Sequence, residues 1–102
     1  MRKEVLEQTI AEIAKTACCA WEDYARRNRG VDGPGLFASL AKEDWARVVR
    51  DVKAGDLERA HATLLQIVSR ERSENQAWHT RPALDAIREY ARDQELRVGD
   101  PC

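Results

Sequence analysis

A chain of 102 residues accommodates one domain with one modest core. Lys plus Arg number 17 against 18 Asp plus Glu, a formal charge of -1, which argues against a bulk electrostatic footprint for nucleic acid or an acidic membrane. Hydrophobic residues at 43% and charged residues at 34% describe a soluble, helix-rich chain, and no apolar run is long enough to span a bilayer.

The opening MRKEVLEQ is charged and lacks the apolar core of a secretory signal. The three cysteines, Cys18, Cys19 and Cys102, form no disulfide framework. Neighbouring cysteines within a helix cannot bridge each other without gross strain. A reducing, cytoplasmic setting is the expectation.

The first helix is predicted over Lys3 to Asn28. Leu6, Ile10, Ile13, Ala17, Ala20 and Tyr24 step by threes and fours, close to a heptad seam, and Ala14, Trp21 and Ala25 widen the stripe. Cys18 falls at the edge of this face. Cys19 falls on the polar side with Glu12, Lys15 and Arg26. Arg26, Arg27 and Arg29 suit the negative end of the helix dipole, and three arginines alone do not make a phosphate site.

Gly30 to Gly35 holds three glycines and a proline and reads as a loop. It is no phosphate loop, because the Lys-Ser/Thr pair that should follow is absent. Leu36 and Phe37 are expected to drop back into the core as a plug. A second helix should begin between Ser39 and Ala41 and run to Ala54, with Trp45, Val48, Val49 and Val52 inward. Ser39 is one cap; Leu40 and Trp45 stapled around Ala41 are the alternative. Arg47, Arg50 and Lys53, interleaved with Glu43 and Asp51, read as a solvated face.

The third helix, from Leu57, is the most periodic stretch of the chain. Leu57, Ala60, His61, Leu64, Leu65, Ile67 and Val68 share one stripe. Gly55 suits the end of the preceding helix and Asp56 the cap of this one. The stripe fades at Ser69, and Ser73 to Gln76 has capping-box spacing, so the helix either breaks at Ser73 or runs on toward Thr80. A last helix is expected from Arg81 or Pro82 to Leu96, with Ala83, Leu84, Ile87, Tyr90 and Ala91 inward.

Residues Ala54 to Val68, AGDLERAHATLLQIV, resemble the second helix of a tetratricopeptide repeat, with Gly55 and Ala60 at the family's spacing. Trp45 is one residue off that spacing, Ile67 replaces a small residue, no proline closes the unit, and no second copy is visible. The stretch is therefore read as a generic helix hairpin. The fold class is all-α: a small antiparallel bundle of three long helices, with a short fourth admitted between Ser73 and Arg81. Residues 1–98 form the domain and 99–102 a flexible tail.

Chemistry finds little purchase. His61 on an apolar stripe reads as a hydrogen-bonded core residue. No His-x3-His or Cys-x2-Cys pair marks a metal site, and no Ser or Cys lies in a Gly-rich elbow. Neither cofactor nor catalysis is expected. Three tryptophans are many for so short a chain: the first reading is that all share one core, but so short a chain has trouble covering three indoles, and tryptophan is enriched at interfaces. The expectation is a non-enzymatic regulator or inhibitor, of anti-activator or adaptor type, that binds and occludes another protein and forms a homodimer. Cys19, Trp21, Tyr24, Trp78 and His79 are the expected contact residues, with Trp21 and Trp78 at an edge. One alternative is a helix-turn-helix regulator reading DNA with Arg59 and Arg70. Another is a thiol or metal sensor built on Cys18, Cys19 and His61.

Overall fold

The computed structural model describes residues 2–30, 33–71 and 77–96. They form four helices, α1 (Lys3–Arg27), α2 (Pro34–Ala54), α3 (Leu57–Glu71) and α4 (Ala77–Asp93), with no strand among the described residues. The expected all-α bundle is thus what the chain forms, with the fourth helix long: it absorbs Ala77 to Arg81. Whether the chain breaks at Ser73, and the tail 99–102, lie outside the described residues.

The helices pack as a ring. Each touches the next in sequence, α4 closes onto α1, and the diagonal pairs do not approach. Neighbours run antiparallel: Trp21 near the end of α1 meets Phe37 at the start of α2, and Arg88 late in α4 reaches His61 early in α3. The core runs along the ring's axis. α1 supplies Leu6, Ile10, Ala14, Ala17 and Trp21, and α2 supplies Ala41, Trp45, Val48 and Val52. Leu57, Ala60, Leu64 and Ile67 come from α3, and Ala83, Leu84, Ala86 and Ile87 from α4. Full burial of one such Leu or Ile contributes roughly 2 kcal/mol.

The α2–α3 joint is as the residues foretell. Gly55 is left-handed (φ 83°), its amide donates to the Val52 carbonyl, and the Asp56 amide donates to the Asp51 carbonyl at 2.8 Å. This pair of bonds closes α2 as a Schellman motif. The same Asp56 then caps α3, its Oδ1 accepting from the Arg59 amide at 3.2 Å. α4 ends the same way with a less suitable residue. The Leu96 amide donates to the Ala91 carbonyl and the Glu95 amide to the Arg92 carbonyl, and Glu95 takes the left-handed position at φ 56°.

Three expectations are corrected. α2 begins at Pro34, not near Ser39. Gly33 takes φ 112°, where a side chain is strained, and Pro34 stands at the first helical position, where its missing N–H costs nothing. Leu36 and Phe37 consequently ride on the first turn of a helix, 62% and 44% exposed, and do not plug the core. α4 begins before Pro82, which sits inside the helix. At that position the proline withholds the amide that would donate to the Trp78 carbonyl, and its ring crowds that same carbonyl.

Burial also departs in detail. Asp51 is buried, as is Asp44, because α2 packs on both α1 and α3 and its inward face is wider than the valine stripe. Leu65 is exposed, since it lies about a hundred degrees round α3 from Leu64 and α3 has neighbours on two sides only.

These joints set a stability order that urea denaturation reads. Gly55→Ala should cost about 1–2 kcal/mol, through the left-handed backbone. Asp56→Ala should cost about 1 kcal/mol through the lost cap. Glu95→Gly should add about 0.5–1 kcal/mol, because it relieves the one non-glycine left-handed residue among those described.

Candidate functional site

Counting outward from the Gly55 turn, Glu71 at the end of α3 reaches the level of Ala41 on α2. The first two turns of α2 therefore have no α3 beside them. The start of α4 falls short of the end of α1 in the same way: Glu12, Ile13 and Thr16 border one hollow with His79 and Pro82, which sets Ala77 near the level of Cys18. The α1–α2 hairpin thus projects, and its end carries the aromatic side chains Trp21, Tyr24 and Phe37.

Trp21 is the centre of that end. It packs edge-on to Tyr24, with ring centroids 5.8 Å apart, and tilted against Phe37 at 5.9 Å. The indole is only 6% exposed. The expectation that Trp21 lies at an open edge is corrected: the rings stacked on it hide it, and Phe37 and Leu36 present the surface instead. Tyr24 is half-buried. Asn28 caps the end of α1, its Nδ2 donating to the Tyr24 carbonyl at 2.7 Å. Arg26 and Arg27 pair with Asp23 at 3.5 and 2.8 Å and complement the helix end.

Cys19 and His79 lie away from this patch. Cys19 is exposed on the outer face of α1. His79 is half-buried in the wall of the open hollow with Glu12, Ile13, Thr16 and Pro82. Trp78 belongs to the first turns of α4, and its side chain lies outside what the structure describes. Leu36 and Phe37 are the surface residues that sequence reasoning missed. The available signal was Pro34, which can start a helix as well as interrupt one.

His61 is 2% exposed, and its Nε2 accepts from Arg88 Nε at 3.2 Å. That bond ties α3 to α4. Asp51 is buried, and among the described residues neither its Oδ2 nor Trp45 Nε1 has a hydrogen-bond partner. The two are six residues apart and point about 120° from each other around α2, so they build no common site. A buried polar atom left unpaired costs about 1–3 kcal/mol. Among the described residues, no three His, Cys, Asp or Glu side chains converge to hold a metal. Cys18 and Cys19 stand on α1, which does not approach the α3 that carries His61.

No family model matches the chain, and neither a curated protein nor a solved structure matches it. No helix among the described residues is long and apolar enough to cross a membrane.

The two thiols differ. Burial pushes the Cys18 thiol up from its ordinary value, and Glu22 and the neighbouring Cys19 push the same way against Lys42. Less Cys18 thiolate is present at neutral pH, and thiolate is the reactive form. At pH 7.5 a maleimide should label Cys19 faster than Cys18 by about tenfold, and the Cys18 rate should keep climbing into the alkaline range. Peptide mapping against time reads both rates; equal labelling would contradict the burial argument.

Proposed function

We propose that this chain is a non-enzymatic interaction module. It acts as a small cytoplasmic regulator or inhibitor, of anti-activator or adaptor type, that docks on a partner protein and occludes part of it. The observation that carries the reading is the projecting hairpin end, where Leu36 and Phe37 lie exposed over a buried Trp21 and a half-buried Tyr24. Large apolar side chains left in water beside a packed aromatic floor resemble the anchor clusters of protein interfaces. The polar side-chain contacts described, by contrast, serve the fold: Arg88 ties α4 to His61 of α3, Asp56 caps the start of α3, and Asn28 caps the end of α1. A reducing compartment suits the free thiols Cys18 and Cys19.

Leu36 and Phe37 are separable from stability because they are exposed. Leu36→Ser/Phe37→Ser should keep its unfolding midpoint close to that of the parent and lose at least about tenfold in affinity for the partner recovered from native extract. Trp21→Ala, in contrast, should cost about 3–5 kcal/mol of stability. Undiminished partner affinity in the double serine variant would overturn the assignment of this surface. Salt-dependent retention of the parent chain on DNA would favour the nucleic-acid alternative.

A further inference from the structure

α1 is the longest helix and has only α2 and α4 beside it. Its outer face carries Glu12, Lys15, Cys19, Glu22 and Arg26, all exposed. At a hundred degrees per residue these five lie within about 60° of Cys19 on the helix circumference. Along the stripe the signs of these five run minus, plus, thiol, minus, plus, and the half-exposed Asp23, about 40° from Cys19, adds a second minus beside Glu22. Reversed end for end about Cys19, the order becomes plus, minus, thiol, plus, minus. Glu12 then stands at the level of Arg26 in the reversed helix, and Lys15 stands within one residue of Glu22.

We infer that a second copy of this chain docks on this face, α1 against α1 and antiparallel, with the two-fold axis passing beside Cys19. A two-fold contact makes each pair twice: Glu12 to Arg26 of the second copy, Lys15 to Glu22 of the second copy, and both again in the other direction. The parallel arrangement sets each charge against its own like and is disfavoured. The charge order therefore selects both the partner and the orientation. Existing contacts compete little. Arg26 reaches Asp23 at 3.5 Å, and Gln8 reaches Glu12 at 3.5 Å, both at the long limit for such bonds.

The contact is narrow and polar, so it is a weak one. Exposed ion pairs are individually modest and screened by salt. One helix stripe also covers less than a standard interface. The docked face is separate from the Leu36–Phe37 surface, which stays open for another partner. The inference deepens the interaction reading by naming one partner, and either can fail alone: self-association reports on α1, and the serine variants above report on the hairpin end.

Charge reversal tests it. Sedimentation from micromolar to millimolar concentration should show a monomer–dimer equilibrium that weakens with added salt. Lys15→Glu should weaken it by about tenfold, and Lys15→Glu/Glu22→Lys should restore most of the loss. Both changes are on the surface, and far-UV circular dichroism checks that the helices remain. With Cys18→Ser and Cys102→Ser, a short bis-maleimide should join Cys19 of two copies, each thiol adding across one maleimide double bond. The yield should follow the same order among the charge variants. Peptide mapping of the cross-linked parent chain gives the same readout with Cys18 intact. A monomer at every concentration overturns the inference. So does a double variant no better than the single one, or a cross-linking yield indifferent to charge.

Discussion

Gly55 turns left-handed, and Asp56 beside it closes one helix and caps the next. Because only two residues separate α2 from α3, the register between them is fixed. Counting outward from the turn sets Val48 level with Leu64 and Trp45 level with Ile67, and all four are buried. A one-residue slip at the joint would rotate α3 by about a hundred degrees relative to α2. Leu64 would leave the core, and a slip in one sense would bring the exposed Leu65 in to replace it. The cap and the left-handed glycine thus decide which side chains the ring encloses. The Arg88–His61 bond then fixes the α4 side of α3.

The same register explains what the ring leaves out. α3 has 15 residues and α2 has 21, so α2 outruns its partner at the end away from the turn. α1, at 25 residues, outruns α4, which has 17. The two overhangs belong to one hairpin and support each other, Trp21 against Phe37. A surface with apolar side chains in solvent is a consequence of unequal helix lengths about a fixed joint. It does not require any local irregularity.

Much of this was legible in the residues. The α2–α3 joint, the start of α3 at Leu57 and the span of α1 to within one residue follow from capping chemistry and helical period, which act locally. His61 as a core residue follows from its place on the stripe. What was not legible depended on neighbours or on ambiguous residues. Pro34 and three nearby glycines signal a loop and a helix start equally well, and the structure takes the second. Pro82 presents the same ambiguity within α4. Asp51 and Leu65 exchange their expected environments because burial on a helix in a ring depends on how many sides are covered. Periodicity alone does not reveal that number. Of the expected contact residues, the exposure of Cys19 follows from its helical angle. The burial of Trp21 follows from its place on the same helix's inward stripe, but its cover by Phe37 does not, since Phe37 read as a core plug and lies on the first turn of α2.

The protomer completes its core along the α2–α3 hairpin and leaves the α1–α2 end under-covered. Amide hydrogen exchange on the chain alone tests that most directly. Amides of Val48–Val52 and Ala60–Ile67 should exchange only on global unfolding. Those of Ala38–Leu40 and Ala25–Arg27 should exchange far sooner. Protection as strong at Ala38–Leu40 as at Val48–Val52 would contradict the claim.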